Sequence, residues 1–75
     1  MNLGSKVAVV DYNKVINDPL IEDKALEIIN KEGFIGYVSK IFKEPDGDVI
    51  FSVGFRNELG WVTQGFKAEE LKEVK

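Results

Sequence analysis

GFIGYVSKIFKEPDGDVIFSVGF, residues Gly33 to Phe55, reads as two β-strands joined by a tight turn and entered through two glycines. Its centre, Glu44-Pro45-Asp46-Gly47-Asp48, carries turn chemistry. Proline presets φ, aspartate can bond its own backbone two residues on, and glycine accepts a positive φ. After the turn, Val49, Phe51, Val53 and Phe55 alternate with Ile50, Ser52, Gly54 and Arg56, so one face is wholly apolar and is expected to be core. Before it, Phe34 to Phe42 is a strand in which Gly33 and Gly36 predict a sharp bend, because strand interiors avoid glycine unless the backbone bends or meets a neighbour. Tyr37 shares a face with Ile35, Ser39 and Ile41, opposite Phe34, Val38 and Phe42. Only one set can fill the core, and the other is exposed.

Working outward, Arg56 to Gly60 is a second turn, Gly60 to Phe66 (GWVTQGF) another strand, Lys67 to Leu71 a single helical turn, and Lys72 to Val74 a last short strand. Upstream, Lys6 to Tyr12 (KVAVVDY) has the profile of a first strand. The connection Val15 to Glu32 admits two readings. Asp18-Pro19 resembles an N-cap with proline in the first turn, Ile21, Ala25 and Ile28/Ile29 fall at helical spacing, and Gly33 closes the segment. The alternative is an irregular excursion packed through Leu20, Leu26 and Ile29 over the end of a barrel.

Seventy-five residues, 44% of them apolar, suffice for one ordered domain, taken as residues 1–75, with a small core. Thirteen acids against ten bases give a net charge of −3, which argues against a broad phosphate-binding surface and leaves room for a local basic strip. The absence of cysteine removes disulfides and thiolate metal sites and fits a reducing cytoplasm. The apolar run near Met1 is too short for a signal peptide or a spanning helix, so no membrane partner is expected.

Without His or Cys, triad and Cys-His mechanisms are excluded, as are most zinc sites. Glu44, Asp46 and Asp48 lack the later ligands of a calcium loop and read as turn residues. Glu69 and Glu70, followed by Lys72, read as a solvated helical turn rather than an acid/base pair. The glycines are scattered and form no phosphate-binding loop. No catalytic residue, cofactor or metal is therefore expected, and the chain is read as a non-enzyme.

Five short strands, a long first connection, two tight turns and a helical turn before the last strand together resemble an SH3-like barrel. The fold expected is thus an all-β, five-stranded SH3-like barrel. Ala8-Val9-Val10-Asp11-Tyr12 is similar to the ALYDY stretch of eukaryotic-type SH3 domains, a resemblance that implies Tyr12 as a groove aromatic with Trp61 or Phe55 as another wall. Val10 stands where that family has its first tyrosine, paired tryptophans are absent, and Phe66-Lys67-Ala68-Glu69 replaces the late ligand motif, so usual polyproline recognition is not carried over. Gly33, Gly36, Val38 and Ile41 follow a spacing similar to KOW-type barrels, in which, the resemblance implies, loops around the glycines meet RNA or protein. The bent-strand reading of those glycines stands beside it. As a whole the chain also resembles the short prophage-encoded YorP-type proteins of Bacillus-type bacteria, which implies a fold and not an activity.

The first functional expectation is a protein-binding monomer, with contacts at Tyr12, Tyr37, Arg56 and Trp61 between the Val15–Glu32 connection and the Arg56–Gly60 turn. Asp18, Glu22 and Asp23 would attract a basic partner. The alternative is nucleic-acid binding through Lys40, Lys43 and Arg56, with Tyr37, Phe42 and Trp61 as stacking surfaces. A structural role in a phage-encoded assembly is the third. Trp61 itself is either a hydrophobic plug or a recognition anchor.

Overall fold

The computed structural model describes residues 1–74. The chain runs β1 (Lys6–Val9), α1 (Tyr12–Ile16), α2 (Asp23–Lys31), β2 (Ile35–Lys43), β3 (Val49–Asn57), β4 (Gly60–Lys67), a 3₁₀ turn (Ala68–Glu70) and β5 (Leu71–Glu73). All five strands join one antiparallel sheet in the order β4-β3-β2-β1-β5, so the fold is mostly β. No helix is long and apolar enough to cross a membrane among the described residues.

The apolar alternation of β3 delivers its expected face. Phe51, Val53 and Phe55 are buried, whereas Val49, at the strand's start, is partly open. They meet Val7, Val9, Val38, Phe66 and Leu71 from the other strands, and Val15, Ile28, Ile29 and Phe34 from the long connection close that side of the sheet. Each large aliphatic side chain so buried contributes about 1.5–3 kcal/mol.

The question of which β2 face is core has an answer that strict alternation does not contain. The β2–β3 register shifts between Val38 and Lys40, so Ser39 is an extra, bulged residue whose hydroxyl donates to the Ser52 carbonyl at 3.1 Å. Before the bulge Phe34, Gly36 and Val38 point inward and Tyr37 outward; after it Lys40 and Phe42 point outward. Phe42, grouped with Phe34 and Val38 by parity, is 49% exposed as a result. Gly36 is the tightest point of the sheet. A Cβ there would lie 2.5 Å from the Gly54 carbonyl oxygen and 2.7 Å from Val53 Cγ1.

The connection is helical, in two pieces. The first strand ends at Val9, not Tyr12, because Asp11 accepts from the Asn13 N–H at 3.1 Å and caps α1, making Tyr12 a helical residue. Asp18 accepts from the Leu20 N–H at 2.9 Å in a local turn rather than capping a helix, and α2 begins only after Glu22. At the other end, Gly33 N–H donates to Asn30 at 2.9 Å and Phe34 N–H to Ile29 at 3.1 Å, the Schellman arrangement, with Gly33 at φ +66°. Phe34 follows at φ +61°, a conformation unfavourable for a bulky side chain. Its burial and the Tyr12 ring stacked on it at 4.3 Å hold it there.

The turns behave as their sequences indicate. Asp46 accepts from the Asp48 N–H at 3.1 Å, and Gly47, at φ +95°, donates to the Glu44 carbonyl at 3.0 Å. In the β3–β4 turn, Asn57 accepts from the Leu59 N–H at 2.8 Å. Its amide also donates to the Ile28 carbonyl at 3.1 Å and to Glu32 at 3.0 Å, tying the hairpin to the end of α2.

Candidate functional site

In an antiparallel ladder, residues directly opposite one another share a face. Tyr37 lies opposite Gly54 and Gly54 opposite Thr63, while Arg56 faces Trp61, Lys40 faces Ser52, Phe42 faces Ile50, and Ile50 faces Lys67. The outer face of β2–β3–β4 therefore presents Tyr37, Phe42 and Trp61 together with Lys40, Arg56 and Lys67. Tyr37 is 55% and Trp61 65% exposed, so Trp61 is not a core plug. The indole lies over Gly54, where a methyl group would sit 3.4 Å from Nε1, in ordinary contact. Ser39, Lys40, Phe42, Ser52, Trp61 and Thr63 line a shallow depression of about 420 Å³ on this face.

The electrostatics of the face follow from the same register. On the remaining strands Lys6 lies opposite Tyr37, and Lys72 opposite Ala8, which places two more bases outward. None of these outward strand positions carries a carboxylate. Lys67 is matched by Asp48 from the β2–β3 turn at 3.4 Å, whereas Lys40 and Arg56 have no salt bridge among the described residues. Glu58, two residues from Arg56, is paired with Lys31 of α2.

A second depression, about 330 Å³, lies between α2 and the β3–β4 turn and is lined by Glu22, Lys24, Ala25, Ile28, Leu59, Gly60, Trp61 and Val62. This is the place between connection and turn that the sequence points to, and Trp61 borders both depressions. The other named residues are distributed differently. Tyr37 and Arg56 belong to the outer sheet face with Trp61, while Tyr12 sits on α1 against Phe34. Of the bases, Lys40 and Arg56 are outward, but Lys43, one residue beyond Phe42 and opposite Val49, turns to the other side. Asp18 and Glu22 lie between α1 and α2, and Asp23 is the first residue of α2.

The third depression, about 390 Å³, runs between α1 and α2 over Phe34 and is lined by Ile16, Asp23, Leu26, Glu27 and Asn30. Sequence reasoning misses it because α1 straddles the boundary between the expected first strand, which takes in Tyr12, and the connection that starts at Val15. The available signal was Asp11 as a cap with Val15 four residues on.

An ion pair between exposed Lys14 and half-buried Glu70 ties α1 to the 3₁₀ turn. Burial pushes the Glu70 carboxyl up, but the Lys14 ammonium and the Lys67 N–H, donated at 2.7 Å, outweigh it and leave Glu70 below its ordinary value. Lys14 is correspondingly raised, chiefly by its hydrogen bond to Glu70. Among the described residues no cluster of three or more acids could hold a metal ion. No protein-family model, curated protein or solved structure matches this chain.

Proposed function

We propose that the protein is a non-catalytic binding module whose outer β2–β3–β4 face takes a single-stranded nucleic acid. The observation that carries this reading is the company the exposed aromatics keep: Tyr37, Phe42 and Trp61 share a face with Lys40 and Arg56, which have no salt bridge among the described residues, and no outward strand position there is acidic. Rings on a sheet accept bases by stacking, and adjacent bases accept phosphates. This reverses the order of the two expectations. A protein partner remains the second reading, favoured by the cleft beside Trp61 between α2 and the β3–β4 turn. The order of elements, with a long first connection, two tight hairpins and a 3₁₀ turn before the last strand, supports an SH3-like barrel.

The test is a titration with a fluorescein-labelled oligothymidylate at stepped salt. Trp61 is the only tryptophan, so its emission reports contact directly. Two phosphate contacts give a log–log salt slope of roughly −1.4. Trp61→Ala is expected to weaken binding roughly 30-fold, and Lys40→Ala with Arg56→Ala to flatten the slope. Absence of binding at low salt, or a slope unchanged in the double variant, overturns the reading. A proline-rich peptide that quenches Trp61 where the oligonucleotide does not would establish the protein alternative.

A further inference from the structure

The groove between α1 and α2 is a different kind of surface from the sheet face. Its floor is Phe34, locked by the Schellman end of α2 and by the stacked Tyr12, and its apolar walls are Ile16 and Leu26. Along α2, Asp23, Leu26, Glu27 and Asn30 form one stripe, opposite the stripe that Ile28 and Ile29 bury in the core. Asp23 and Glu27 thus stand beside an open apolar groove, and neither has a salt bridge among the described residues. The helical bases do not neutralise them. Lys14 is paired with Glu70, Lys31 with Glu58, and Lys24 lines the cleft on the other side of α2.

We propose that this groove docks a short segment of a partner protein carrying one or two large apolar side chains flanked by lysine or arginine. The apolar residues would cover Phe34, Ile16 and Leu26, and the flanking cations would meet Asp23 and Glu27. Charge decides the occupant, because the acidic rim repels an oligonucleotide or an anionic lipid surface. On a second copy of this chain Lys40 and Arg56, which have no salt bridge among the described residues, lie on a sheet face, which does not enter a groove between two helices.

The test uses two fluorescein-labelled peptides with the same pair of leucines, one flanked by lysines and the other by glutamates, followed by anisotropy and by amide chemical shifts of the intact protein. The lysine peptide is expected to bind and to shift Ile16, Leu26, Glu27 and Asn30 while leaving Tyr37 and Trp61 still. Asp23→Lys with Glu27→Lys, both solvent-facing changes, is expected to weaken it roughly tenfold, two exposed ion pairs' worth. Ile16→Arg is the independent check on the apolar half and should abolish the response without altering oligonucleotide binding. Equal binding of the glutamate peptide, shifts confined to the sheet face, or self-association that Ile16→Arg removes would each overturn the proposal.

Discussion

The outer sheet face and the α1–α2 connection both leave large apolar side chains in solvent, yet they are built and charged in opposite ways. The sheet face is laid out by ladder register, and its outward strand positions carry bases without acids. The helical side is held by the burial of Val15, Ile28, Ile29 and Phe34 and by a few discrete ties: the Asn57 amide, the Lys14–Glu70 and Lys31–Glu58 pairs, and the Schellman end at Gly33. It exposes Asp23 and Glu27 beside its groove. A net charge of −3 is therefore the sum of two surfaces of different sign, and it is a poor guide to what either one binds.

The most severe way to break this division is Gly36→Ala. The added methyl meets backbone at the Gly54 carbonyl and cannot be relieved by a rotamer change. A loss of about 3 kcal/mol is expected in urea unfolding, affecting both surfaces together because β2 underlies both. A loss under about 0.5 kcal/mol would show that β2 and β3 slide apart freely. Next comes Asn57→Ala, which strips the link from hairpin to helix and leaves the Ile28 carbonyl without that donor. About 2 kcal/mol is expected, with faster amide exchange in α2 than in β3. Equal acceleration in both would mean that the helix and sheet unfold as one unit.

The smallest effect concerns acid. Glu70 is depressed in the folded chain, so its contribution is present above the ordinary carboxylate range and is lost as pH falls through the folded value. Because the paired Lys14 is exposed, the loss is at most about 1 kcal/mol. Wild type and Glu70→Gln should differ in urea midpoint at neutral pH and converge as pH falls through the lowered folded value of Glu70. At the alkaline end the raised Lys14 adds stability that fades as pH climbs through its folded value. A gap between the two proteins that persists in acid would assign Glu70 a role other than its charge.

Legibility in the sequence followed how local the cause was. β3, its Pro-Asp-Gly turn and the β3–β4 turn were readable because period two and turn chemistry act within a few residues. The end of α2 at Gly33 was readable for the same reason. The bulge at Ser39 was not, since it depends on the β3 partner, and it alone moves Phe42 to the face of Tyr37. Trp61 was half readable: two residues of turn separate Asn57 from Gly60, so parity places Trp61 beside Arg56. That its ring lies over Gly54 required the third dimension. α1 was hidden by Val9-Val10 running into Asp11-Tyr12, where strand propensity and capping compete over the same residues.

The position of β1 bears on how the chain is made. β1 lies between β2 and β5, and β5 is Leu71–Glu73, the final strand of the described chain. On the ribosome, β1 emerges before the other four strands, finds β2 once the two helices are out, and then waits with its other edge unpaired until Leu71–Glu73 follow. An open edge next to Val7 and Val9 is a site for wrong pairing with another nascent copy. Three residues added late convert that template into an interior strand, so slow or interrupted translation past Phe66 is the stage at which aggregation should be greatest.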